Sequence, residues 1–242
     1  MKKIVRFYVA LFAAAMMLSG CVTKTVEQEK TSATTDLATN VQAAPSVKVQ
    51  EYTDSIVIKE SPKKKMPQGL GLALGKIVTP EGKDKAEKNM ISQFSTYCSA
   101  LLYGDKDNCV KYFYKDAAEY FRKNYFHGYT DEQVMDAFFN STIETFRPDK
   151  LQDLNNQGIE FKIDVASLIR RVEYNENIFI TFKIGTNVCS ESLYTHFDSF
   201  EESIAISENG GKNWTFLTFN EDTPNILRIS YPEEVIDAIM GY

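Results

Sequence analysis

The apolar residues of this chain change their spacing once, near Gly158, and that single change limits the fold to helices followed by strands. From Asp84, Met90, Ile91, Phe94, Tyr97, Cys98, Leu101 and Leu102 recur at steps of three and four, which lays an apolar stripe along one helix that Gly104-Asp105 ends. Val110, Phe113, Ala117, Tyr120 and Phe121 predict a second, shorter or broken helical stretch. Thr130-Asp131-Glu132-Gln133 reads as a helix start, with Thr130 capping and Gln133 returning the bond. Met135, Phe138, Phe139, Thr142 and Phe146 then form an inner face until Pro148.

Beyond Gly158 the period is two. Ile159, Phe161, Ile163 and Val165 alternate, as do Ile178, Ile180, Phe182 and Ile184, with Tyr174-Asn175-Glu176-Asn177 as the turn of a long antiparallel hairpin. A further strand runs from about Leu193 to Ser207, and Asn209-Gly210-Gly211 supplies the positive backbone dihedrals of a tight turn into Trp214 to Phe219. Pro232-Glu233-Glu234-Val235-Ile236 begins a last short helix. The prediction over residues 83 to 242 is an α+β domain, with N-terminal helices packed in a curved antiparallel sheet.

Ala100 to Asp105, Tyr112-Phe113 and the late Ser207 to Trp214 resemble the nuclear transport factor two-like superfamily, also called the cystatin-like cone, over about Lys83 to Phe219. The resemblance implies a cone-like sheet around the long helix. It also implies a choice among isomerase-like enzymes, dehydratases and non-catalytic binding modules, so the fold alone does not select a function.

The other end of the chain carries an address. Lys2, Lys3 and Arg6 form a positive n-region, Phe7 to Leu18 an apolar stretch short for a permanent spanning helix, and Leu18-Ser19-Gly20-Cys21 closes it with small residues before a cysteine. This segment resembles the bacterial lipobox. The resemblance implies that residues 1 to 20 are a discarded signal peptide and that Cys21 becomes an acylated N-terminus. Each buried methylene contributes about 0.8 kcal/mol, and two or three chains together give stable attachment. Val22 and Thr23 follow in place of an acidic run, a pattern similar to lipoproteins forwarded to the outer membrane of Gram-negative cells.

From residue 21 to 82 the expectation is a lipidated, mostly disordered stalk. Val22 to Ser46 is Thr, Ala, Gln, Lys and Glu with few large apolar side chains, too little to offset backbone ordering. Ser55 to Ile58 reads as one weak extended segment, ahead of Pro62, Lys63-Lys64-Lys65 and Pro67. Gly69-Leu70-Gly71-Leu72-Ala73-Leu74-Gly75 lacks the spacing of a dinucleotide loop and reads as a lead-in or small packing segment. The chain has a formal charge of -6, and losing the leader removes three cations, so broad nucleic-acid binding is not expected.

Candidates for chemistry are few. Tyr194, His196 and Asp198 alternate on a strand and share a face, where a carboxylate could orient an imidazole, but a solvent-facing polar row is the favoured reading. His127 lies among Tyr125, Phe126 and Tyr129 in a loop before a helix, with Asp131 close in sequence. Two histidines and scattered carboxylates give no zinc spacing, no nucleophile stands in an elbow motif, and no metal or cofactor is expected. Cys98 and Cys109 could meet as a disulfide across the Gly104-Asp105 turn in an oxidising compartment, or Cys98 could be a plain core thiol, with Cys189 left over. Sixteen Phe and thirteen Tyr exceed what a pocket can use, so most belong to a core.

The favoured function is a non-catalytic, membrane-anchored envelope lipoprotein that binds a protein partner or a small apolar ligand. The alternative is a pocket enzyme of isomerase or dehydratase type, using His196 and Asp198 or His127 and Asp131 for proton transfer.

Overall fold

The computed structural model describes residues 46–53, 55–65 and 71–242; the leader, Cys21 and the low-complexity stretch to residue 45 lie outside the described residues. The folded unit begins at Val47. Four short strands come first: β1 (Lys48–Glu51), β2 (Val57–Lys59), β3 (Leu72–Leu74) and β4 (Lys76–Val78). Five helices follow: α1 (Lys85–Tyr103), α2 (Lys106–Tyr112), α3 (Lys115–Asn124), α4 (Asp131–Phe146) and α5 (Pro148–Asn156). Then come β5 (Glu160–Tyr174), β6 (Asn177–Ser190), β7 (Leu193–Phe197), β8 (Glu201–Ser207) and β9 (Thr215–Thr218), and finally α6 (Thr223–Leu227) and α7 (Glu233–Met240). The molecule is α+β, and its principal sheet is antiparallel and open.

The helix signals in the sequence have direct structural causes. Asp84 accepts the Glu87 N–H at the start of α1, and Gly104 ends that helix in the left-handed region at φ 76°. Thr130 and Gln133 form the reciprocal capping box that opens α4. Pro148 sits in the first turn of α5, a helix the spacing of apolar residues did not announce because Leu151 is its only buried residue.

The hairpin of β5 and β6 organises the sheet. Tyr174 pairs with Asn177, and Asn175 takes a positive φ of 54° in the turn. Bulges interrupt β5 between Val165 and Ser167 and between Leu168 and Arg170. The single strand expected from Leu193 to Ser207 is two strands on the same edge of β6, with β7 along Asn187–Ser190 and β8 along Ile178–Ile184. Asp198, Ser199 and Phe200 occupy the interruption. β9 adds to β8, and β3 adds to β7.

Both faces of β6 are covered, so its Ile178 to Phe182 run is buried without a break. Ile178, Ile180 and Phe182 meet Met90, Phe94 and Cys98 of α1, together with Trp214 and Phe216. Phe179 points the opposite way, into a second cluster with Ile204, Ile206 and the α6–α7 residues Ile226, Leu227, Val235, Ile236 and Ile239. The alternation therefore separates two cores rather than a core from solvent.

The region from residue 47 to 82 differs from the expected stalk. β1 pairs with β5 at Arg170–Glu173, β2 pairs with β4, and β3 pairs with β7. An ion pair between Glu51 and Arg170 reinforces this attachment. Arg171 reaches Asp84, Glu87 and Glu173, and Tyr52 donates to the Glu87 carboxylate, which is 1% exposed. Burial would raise the Asp84 carboxyl, but the Glu87 N–H and the Arg171 guanidinium outweigh it and hold the group below the usual aspartate range. Strands of three or four residues do not stand alone and form because a partner strand supplies the ladder.

Candidate functional site

The structure does not assemble either proposed acid-base pair. His196 is 5% exposed, opposite to the expected solvent face, because β3 pairs alongside it and the Gly75 carbonyl lies 3.0 Å from its Nδ1. Asp198 is exposed in the break between β7 and β8 and makes no hydrogen bond with His196. His127 is exposed in its loop, while Asp131 pairs with Arg122 of α3. Among the described residues no group of His, Cys, Asp and Glu is arranged to hold a metal.

Cys98, Cys109 and Cys189 are free, buried thiols, so the Cys98–Cys109 bond is not formed and Cys98 takes its place in the α1 core stripe. Burial pushes the Cys98 thiol well up and the Cys109 thiol up to about 11, which keeps both protonated and unreactive.

The space between α1 and the sheet is filled with rings. The Phe94 ring centroid lies 4.9 Å from that of Phe182 and 5.1 Å from that of Phe216, both edge-on. Tyr97 stacks on Phe216 at 5.4 Å. Burial, with a smaller contribution from the Cys98 and Cys109 thiols, raises the Tyr97 phenol further from ionisation.

A cleft of about 340 Å³ opens beside this core, between α1, the end of β4 and the N-terminal half of β5. Ile91, Phe94, Ile163 and Val165 supply its apolar lining, and Thr79, Ser92, Ser95 and Thr96 its hydroxyls. Asp164 is its one charged group. Asn187, 1% exposed, donates to Asp164 Oδ2 at 2.7 Å. The same amide accepts from the Ile77 N–H at 2.8 Å and donates to the Ile77 carbonyl at 3.1 Å. Because the Ile77 N–H demands an acceptor, the amide can turn only its NH₂ toward the carboxylate.

Sequence reasoning did not single out Asp164 or Asn187. The available signal was a polar residue inside each of two apolar strands, at Ile163-Asp164-Val165 and Asn187-Val188.

No family model, no curated protein and no solved structure matches the chain. Among the described residues, no helix is long and apolar enough to cross a membrane.

Proposed function

We propose that this protein is a non-catalytic lipoprotein of the cell envelope, held at the outer membrane by acyl chains on Cys21, with an α+β domain that binds its target from outside. The observation that carries the reading is the packed interior: where a cone-like enzyme would keep a cavity, Phe94, Tyr97, Phe182 and Phe216 fill the space beneath α1. General acid-base catalysis needs a proton-transfer group within bonding reach of a bound substrate, and neither histidine has that setting. The leader and its small-residue cysteine site support the anchor, and the acidic, mixed-charge chain agrees with work in aqueous surroundings away from nucleic acid.

Strands β1 to β4 pair within the unit that begins at Val47, which supports a tether shorter than the expected stalk, from Cys21 to about Ser46. The domain is then held closer to the headgroups than a stalk running to residue 82 would allow.

Phe182→Ala separates a core from a ligand pocket. A filled core predicts a loss of about 3–5 kcal/mol in unfolding free energy by chemical denaturation. A loss below about 1 kcal/mol would mean that the ring lines a pocket, and would overturn the reading.

A further inference from the structure

We infer that the face formed by β2, β4 and the lysine turn after β2 rests on the anionic headgroups of the membrane that holds Cys21. This inference deepens the envelope-lipoprotein reading and rests on its anchor. Between Ser55 and Val78 the sequence carries five lysines, Lys59, Lys63, Lys64, Lys65 and Lys76, against the single acid Glu60, in a chain whose formal charge is -6. Lys59, Lys63, Lys64 and Lys65 are exposed. None of the five has an ion-pair partner among the described residues.

Strand alternation gathers apolar side chains among these cations. β2 and β4 pair Val57 with Val78 and Lys59 with Lys76, which places all four on one face of the ribbon, while Ile77, 1% exposed, turns the other way into the body. Val57 is 55% and Val78 40% exposed. Lys59 and Lys76 stand directly opposite each other, an arrangement that destabilises a strand pair until an anion lies against it. The Lys59 ammonium lies 5.6 Å from the centre of the Tyr194 ring, which attracts a cation without neutralising it. Lys76 acts on the Cys189 thiol, but burial keeps that thiol protonated, so it brings no counter-charge.

The face is fixed to the body at two points. Ser61, between β2 and the three consecutive lysines, accepts the Tyr194 N–H at 3.0 Å. Ile77 of β4 is bonded through both its N–H and its carbonyl to the buried Asn187 amide. Cations and valines held in this way meet a surface at a low ordering cost. Each lysine near an anionic surface strengthens the attraction about fivefold, and exposed valines among long basic stems suit the headgroup boundary. The folded unit begins at Val47, so an anchor at Cys21 makes docking an intramolecular step for which a modest attraction is enough.

The test uses the lipidated protein purified from its membrane, carrying Val57→Cys labelled with the fluorophore NBD; Cys98, Cys109 and Cys189 are buried and do not compete for the label. It is placed in vesicles of phosphatidylcholine alone, or with about one third of the anionic lipid phosphatidylglycerol. On the anionic vesicles, quenching of the probe by acrylamide should fall at least about threefold, and it should return in about 1 M salt, where the Debye length is about 3 Å. A probe at Glu176→Cys, in the β5–β6 turn and about 30 Å along β6 from the Asn187 that holds β4, should stay fully quenched. Exchanging Lys63, Lys64 and Lys65 together for glutamate, at exposed positions outside any helix or strand, should restore quenching at Val57 without changing thermal unfolding. Full quenching on anionic vesicles, equal protection on neutral ones, or protection that survives the lysine exchange overturns the docked face. Flotation with neutral vesicles in about 1 M salt reports the anchor alone. A protein that floats but stays quenched fails only the docking, whereas one that does not float overturns the envelope reading and the docking with it.

Discussion

Single residues in this molecule are tightly constrained where the loop before β9 docks on α1. Gly211 takes φ +83°, and a Cβ there would strike the Ala86 side chain. The loop is drawn that close by Asn89, which donates to the carbonyls of Gly211 and Lys212, and by Gln93, which accepts from the Trp214 N–H. Gly210 shares the positive φ, but a Cβ on it meets open space. The pair isolates the collision from the backbone preference. Gly210→Ala should cost about 1 kcal/mol and Gly211→Ala about 1–3 kcal/mol more, measured by thermal or denaturant unfolding. The turn was legible from Asn209-Gly210-Gly211, since those residues prefer positive dihedrals wherever they stand. The contact with Ala86 was not, because it depends on a helix more than a hundred residues earlier.

Elements show the same division between local and distant causes. α1 and the β5–β6 hairpin were readable because period, caps and turn residues lie within each segment. β1 through β4 were legible only in the extended segment at Ser55 to Ile58, since each is three or four residues long and their partners are β5, β7 and one another. His196 was misplaced for that reason: its cover comes from Gly75, 121 residues away. Asp164 and Asn187 were likewise invisible as a pair until β4 brought Ile77 to the amide. The junction of β5 with the start of α1 makes a pH prediction. The Asp84 carboxyl is held below its ordinary range in the fold, so the stability it contributes is present above about pH 4 and is lost as pH falls through the lower folded value. Asp84→Asn keeps a good helix cap while removing the charge. Melting temperatures from pH 7 to pH 2 should show the wild type losing its advantage over this variant only below about pH 4. An advantage that persists unchanged at pH 2 would remove Asp84 from the ion-pair account.

At the scale of the whole molecule, both faces of β6 are covered by packed clusters, which is what the proposed binding from outside rests on. The long antiparallel hairpin after the helices follows from the change of period at Gly158, whereas the four short strands ahead of α1 do not. The likeness to the cone superfamily still rests on the residue patterns in Ala100 to Asp105 and Ser207 to Trp214, and the sheet observed is open. The proposed anchor, by contrast, is a matter of sequence chemistry alone, carried by four residues at the end of a basic-apolar leader, and would set where the domain acts. The most direct test is mass spectrometry of the N-terminal peptide of the protein purified from its native membrane. The account predicts a peptide beginning at Cys21 with its thiol carrying diacylglycerol and its amine blocked; an unmodified thiol, or a chain retaining Met1 to Gly20, would contradict it.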